Sequence, residues 1–183
     1  MRVIAGKYRG KKLKEFSLSS TKPTLDRVKE SIFSSIQFDL IDASVLDLFS
    51  GTGALGIESL SRGAQSVDFV DVNIEAITII KQNLQGIEGE YSVAKSDYLT
   101  FLNNAKLDGK KYDIVLLDPP FATDYGEKAI KYIIDNDLLN DNGIIMYEKA
   151  NATPFELNKD GFSITHKKYG TVAVVKIVKQ DKD

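Results

Sequence analysis

Residues 45–56, VLDLFSGTGALG, constrain this chain more than any other stretch. Val45, Leu46 and Leu48 form the short apolar run of a buried parallel strand. Gly51, Gly53 and Gly56 then punctuate a turn, and Ala54–Leu60 continues as the start of a helix. Strand, glycine turn and helix in that order turn a weak G-x-G-x-x-G pattern into a nucleotide-site signal. Glycines there let the backbone take positive φ and let a ligand approach the main chain. A second strand ends on Asp71, twenty residues past Gly51, the spacing at which a carboxylate reaches ribose hydroxyls.

Asp47 bears on which nucleotide this is. A dinucleotide would set an anionic pyrophosphate at the turn, and a carboxylate beside it would repel that charge. S-adenosylmethionine carries no phosphate, and its methionine end holds an ammonium and a sulfonium. The acid before the turn therefore favours S-adenosylmethionine over NAD. The competing reading of Asp47 is a helix-capping acid in a plain glycine turn.

The 183 residues suit one domain, with 43% hydrophobic and 27% charged residues as in ordinary globular proteins. No apolar run approaches a membrane span, and the start, MRVIAGKYRG, lacks a signal-peptide core, so a cytoplasmic protein without membrane contact is expected. With no cysteine and one histidine, no metal site is expected. The net charge of −2 hides an asymmetry, because residues 1–30 hold nine Lys/Arg against three acids. A basic start on an acidic body points to a polyanion contact in one region, or else to a solvated basic tail. Gly6, Tyr8 and Gly10 break the basic run as a short hairpin does.

In chain order, strands are expected at 1–5 and 11–13, then a polar linker over 17–23. A helix opens at Thr24 or Asp26 and carries Val28, Ile32, Phe33 and Ile36 on one face. Strands at 44–48, 66–71, 91–95, 113–117 and 144–148 alternate with helices ending at Arg62, spanning about 73–85, opening at Ser96-Asp97, and spanning about 125–136. Ile74, Ile77, Ile79, Ile80 and Leu84 are expected on the buried side of the second of these. Asn140–Gly143 reads as a turn, and 161–178 as a hairpin turning at Tyr169-Gly170. Alternation of this kind implies an α/β fold with a parallel sheet, and the last hairpin adds an antiparallel edge.

Asp118-Pro119-Pro120-Phe121 follows the most apolar strand. Ligands of open α/β sheets bind at strand carboxyl ends, so Asp118 is expected in one crevice with Asp47, Asp71 and Asp97. The prolines fix the backbone and remove two N–H donors, leaving the Pro119 carbonyl as an acceptor. Two acceptors suit the two protons of an exocyclic amine, whose lone pair is delocalised into its ring. Phe121 can stack on a flat base extruded from its surroundings. The bland reading is a rigid strand-ending turn.

Together these motifs resemble the class I S-adenosylmethionine-dependent methyltransferases. MRVIAGKYRGKKL at 1–13, KPTLDRVKESIF at 22–33 and VLDLFSGTGALGIESLSRGA at 45–64 are similar, more specifically, to the bacterial 16S rRNA guanine-N2 methyltransferases. That resemblance implies a Rossmann-like domain over 24–183, with a mostly parallel seven-stranded sheet and an antiparallel C-terminal hairpin. It also implies a basic N-terminal hairpin and linker over 1–23, and N2-methylation of one guanine, of the guanine-966 type, in 16S rRNA. The substrate it implies is free 16S rRNA or an assembling 30S particle. It implies Asp118, Pro119 and Phe121 as catalytic, and Asp47, Phe49, Ser50, Gly51, Thr52, Gly53, Asp71, Val72, Asp97 and Tyr98 as holding S-adenosylmethionine. Arg2, Lys7, Tyr8, Arg9, Lys11, Lys12 and Arg27 are implied to contact RNA.

Some roles stay open. Asp97 either contacts the adenine amine, caps a helix, or does both. Arg27 faces the methionine carboxylate, the RNA, or an ion pair with Asp26 or Glu30. Glu148 is expected to form a structural ion pair, and His166 to lie away from the crevice. Asp71 and Lys22 stand where the family commonly has Glu and Arg. An amino methyltransferase acting on DNA adenine or protein glutamine is the alternative.

Overall fold

Val45 and Leu46 are neighbours in sequence but pack into different cores, because successive side chains of a strand point to opposite faces. That alternation organises the molecule. The computed structural model describes residues 1–16, 23–150 and 155–181. Seven strands form one sheet: β1 (Ser44–Asp47), β2 (Ser66–Asp71), β3 (Glu90–Lys95), β4 (Tyr112–Leu117), β5 (Leu139–Lys149), β6 (Phe162–Tyr169) and β7 (Val172–Lys179). Their order is β3-β2-β1-β4-β5-β7-β6, parallel from β3 to β5 and antiparallel for β7 and β6.

Helices cover both faces. α1 (Pro23–Ser35), α2 (Ala54–Ser61) and α3 (Ile74–Asn83) share a core with Val45, Val67, Phe69, Ile114 and Leu116. α4 (Tyr98–Leu107) and α5 (Tyr125–Asp135) share the other core with Leu46, Leu48, Val70, Val115 and Leu117. Phe33, Ile36, Ile57 and Ile80 are fully buried, each worth about 1.5–3 kcal/mol of transfer free energy. The doubly wound arrangement with a reversed last hairpin is the architecture the sequence implied. No helix among the described residues is long and apolar enough to cross a membrane.

Several local expectations change. α1 already includes Thr24 and Asp26, so neither residue caps it; a proline fits the first helical position because its missing N–H is an orphan there. Lys22 and most of the expected linker lie outside the described residues. Ile74 is 61% exposed, since the first turn of α3 overhangs the strand tips beyond the core. Asn140–Gly143 is no separate turn but a bulge within β5. Tyr112 pairs with Leu139 and Ile114 with Ile144, so the extra residues loop out opposite Asp113. Asn142 takes φ 58° there, and Asn140 Nδ2 donates to Asp113 Oδ1 at 2.9 Å. The expected N-terminal strands reduce to a single bridge, Arg2–Lys12, with Val3 N donating to the Lys11 carbonyl and Gly10 N to the Val3 carbonyl.

Candidate active site

The glycine turn is braced by the acids that flank it. Gly51 and Gly53 take φ 54° and 81°, which a side chain would strain. Gly56 faces Phe69 so closely that an added Cβ would lie 2.2 Å from its ring. Asp47, 1% exposed, accepts from Gly56 N at 2.9 Å through Oδ2, while its Oδ1 has no partner. Ser50 Oγ donates to the Asp47 carbonyl at 2.6 Å and accepts from Val70 N at 2.8 Å, riveting β1 to β2. Asp71 accepts from Gly51 N at 2.9 Å and from Asn73 N at 2.8 Å.

These bonds decide what the turn can hold. Gly51, Gly53 and Gly56 already donate their N–H groups to Asp71, the Ser50 carbonyl and Asp47. A phosphate would find no free donor at those three and three carboxylates nearby. Burial, with Asp118 and Asp71 adding charge, pushes the Asp47 carboxyl up to about 7, against the single Gly56 hydrogen bond. A cationic ligand relieves that strain; an anionic one increases it.

Above the turn opens a cleft of about 810 Å³ at the carboxyl edge of the sheet. Of the residues expected to hold S-adenosylmethionine, Phe49, Ser50, Gly51, Thr52, Asp71, Val72, Asp97 and Tyr98 line it. Asp47 and Gly53 lie beneath its wall. Asp97 caps α4, accepting from Leu99 N and Thr100 N at 3.1 Å through Oδ1. A side-chain hydrogen bond with Thr100 first, and then these backbone bonds, hold its carboxyl below the usual range. Tyr98 lies 5.3 Å from the Phe49 ring and 5.2 Å from Tyr125, so three rings line one wall. Tyr125 was missed in the sequence because it reads as an ordinary first residue of α5.

Asp118 and Glu148 form the other side. They follow β4 and close β5, neighbouring strands paired through Leu117 and Tyr147, and both open into the cleft. The Asp118 surface is accessible, yet the surrounding walls exclude enough water to push its carboxyl up to about 6. Glu148 is 9% exposed; burial first, then the Asp118 charge, raises it to about 8. The expected ion pair at Glu148 is not formed among the described residues. Lys29 reaches Glu58 instead, and Lys149 reaches Glu127 at 3.7 Å. Pro120 lines the cleft, whereas Pro119 does not and Phe121 stands 71% exposed in the loop after Asp118. His166 sits on β6, the outermost strand, away from the cleft.

The N-terminal hairpin is docked on α2 and the end of α3. Fully buried Glu58 accepts from Ile4 N at 2.8 Å, Ala5 N at 3.0 Å and Arg62 Nε at 2.8 Å, and pairs with buried Lys29 at 3.1 Å. Burial pushes the Glu58 carboxyl up, but Lys29, the Ile4 N–H and Arg62 outweigh it and hold it low. Asn83 Nδ2 donates to the Lys14 carbonyl at 3.1 Å and the Thr52 carbonyl at 2.9 Å, tying hairpin to glycine turn. Met1, Phe16 and Lys29 complete the cleft wall. Sequence reading passed over Glu58, since nothing in its spacing marks a helical glutamate as buried.

The expected RNA-contacting residues divide. Lys7 pairs with Glu88, Lys11 donates to the Gln85 carbonyl at 2.6 Å, and Tyr8 accepts from Glu88 N at 2.7 Å. Arg2, Arg9, Lys12 and Arg27 are exposed, with no ion-pair partner among the described residues, so Arg27 pairs with neither Asp26 nor Glu30.

A seven-stranded sheet with its last hairpin reversed, and an acidic cleft at the strand tips, define a Rossmann-like methyltransferase fold. The chain belongs to the family described as "Conserved hypothetical protein 95", whose pattern matches residues 1–178. It is 32% identical over 180 residues to a ribosomal RNA small subunit methyltransferase D of Haemophilus influenzae, covering 94% of this chain and 91% of that one. A protein of the same name from Escherichia coli strain K12 is 34% identical over 149 residues, 81% of this chain and 74% of the other. Among solved structures, a putative methyltransferase yhhF from Escherichia coli is similar with a TM-score of 0.88 at 30% identity, covering 100% and 99% of the two chains.

Proposed function

We propose that this chain transfers a methyl group from S-adenosylmethionine to the exocyclic N2 amine of one guanine in 16S rRNA, free or within an assembling 30S particle. One observation carries the reading. Asp118 opens into the same cleft as the glycine turn, so an acceptor for an amine proton faces a pocket that favours a cationic ligand. The relatives named ribosomal RNA small subunit methyltransferase D support an rRNA substrate.

The bound cofactor supplies an electrophilic methyl group on a positively charged sulfur. The orphaned Asp47 Oδ1 and the raised Asp47 carboxyl fit such a cation. Asp71 and Asp97 each use only part of their acceptor capacity on backbone N–H groups, which leaves lone pairs for ribose hydroxyls and an amine. Phe49 and Tyr98 offer faces to a purine. On the acceptor side, Asp118 accepts a hydrogen bond from the guanine amine and aims its lone pair across the cleft. The Asp118 charge stabilises the ammonium that develops as nitrogen gains the methyl, and the carboxylate then takes the proton that nitrogen sheds. Exposed Phe121 stacks on the base once it leaves its helix.

The test uses 30S particles and free 16S rRNA from a strain lacking the enzyme, with a labelled methyl donor. Label recovered as N2-methylguanosine at a single nucleotide is expected. Label on adenine, or on protein glutamine, overturns the reading.

A further inference from the structure

The side chain of buried Glu148 has no hydrogen bond and no cationic partner among the described residues, and it opens beside Asp118 into the cleft. Such an acid is costly to keep unless something occupies it. The cofactor features cluster at the tips of β1, β2 and β3: the glycine turn, Asp71 and Asp97. Glu148 and Asp118 lie at the tips of β4 and β5. Glu148 therefore faces the half of the cleft left to the methyl acceptor.

We propose that Glu148 reads the edge of the target base by accepting its N1–H, beside the N2 amine held by Asp118; this rests on the guanine reading above. Guanine carries two neighbouring donors on that edge, N1–H and the N2 amine. Two acceptor groups on adjacent strands, which run about 4.8 Å apart, can bracket them. Adenine offers an acceptor at N1, and a carboxylate opposite it would be repelled. Without base, the two acids share a cramped negative site, and both carboxyls are raised by burial. Donors arriving from the base replace the proton that the pair would otherwise hold. Asp47, at the end of β1, faces Asp118 and the two acids repel. Lys29 on the cleft wall is held by Glu58, and Lys149 by Glu127.

The experiment compares particles whose target purine is guanine or 2,6-diaminopurine, which keeps the C2 amine but has no N1–H. The kcat/KM ratio is measured at pH 8, where guanine keeps its N1–H, for the wild-type enzyme and for Glu148→Gln. The wild-type enzyme is expected to favour guanine by roughly 10- to 100-fold. Glu148→Gln is expected to narrow that ratio at least fivefold, because an amide can donate to N1 as well as accept from it. A wild-type enzyme that uses both purines equally overturns the proposal without needing a variant. So does a variant that loses activity equally on both. Failure to methylate guanine at all would instead strike the parent reading.

Discussion

At the residue scale, the acids of the cleft do unequal work. In the proposed reaction Asp118 must be ionised to accept from the amine, and its carboxyl is pushed up to about 6. Below that pH the acceptor is lost, so single-turnover methylation is expected to rise with pH through about 6. Asp118→Asn keeps the shape and loses the charge, and a loss of roughly 100- to 1,000-fold in kcat is expected. The KM for S-adenosylmethionine should stay nearly unchanged, as titration of the donor in the same assay reads directly. Asp47 acts differently. Its folded carboxyl, at about 7, lies above its ordinary value of 3.8, so the folded state binds its proton more tightly than the unfolded one. The group costs nothing below about 4, and its cost grows by roughly 1.4 kcal/mol per pH unit up to about 7. Asp47→Asn is therefore expected to melt above the wild-type protein at pH 8, with the gain fading towards pH 4, while cofactor affinity falls. A variant that melts lower at pH 8 contradicts that sign.

At the element scale, the N-terminal hairpin depends on one glutamate of α2. Glu58 satisfies two hairpin N–H groups and neutralises Lys29, which is 4% exposed. Glu58→Gln leaves that ammonium buried without its counter-charge and turns an amide towards backbone donors. Removing one partner of a buried pair costs about 3–5 kcal/mol. The expected result is a lower denaturant midpoint, with the amides of Val3, Ile4 and Ala5 exchanging faster than those of β4. Gly6 reinforces the docking, because an added Cβ would lie 1.8 Å from the Ser61 carbonyl oxygen. Equal protection of hairpin and sheet in the variant would show that Glu58 does not latch the hairpin.

At the scale of the whole molecule, the charge asymmetry becomes a directed surface. The N-terminal segment reaches the cleft through Met1 and Phe16, and exposed Arg2, Arg9 and Lys12 lie on that same segment. Lys7 and Lys11 are engaged with the turn after α3, which leaves exposed Arg2, Arg9 and Lys12 as the proposed phosphate contacts. Replacing those three with alanine is expected to reduce the slope of log Kd against log salt for 30S particles by roughly 2–3. Replacing Lys7 and Lys11 should change it less. Filter binding across a salt series measures both.

The sequence alone determined the local grammar: strand, glycine turn and helix at 45–64, acids at strand ends, DPPF after an apolar strand, and the alternation that makes a doubly wound sheet. Those features are legible because periodicity of two or near 3.6 and the backbone demands of glycine and proline act between near neighbours. Only the tertiary structure decided which acids are buried and what they face. Glu58 and Lys29 lie 29 residues apart in the chain, Asn83 and Thr52 lie 31 apart, and Glu148 meets Asp118 across a β4–β5 boundary. No short-range pattern encodes those meetings. They arise when parallel crossovers bring distant strand tips to one edge, where lowered dielectric turns ordinary carboxyls into a cleft that selects cations and hydrogen-bond donors.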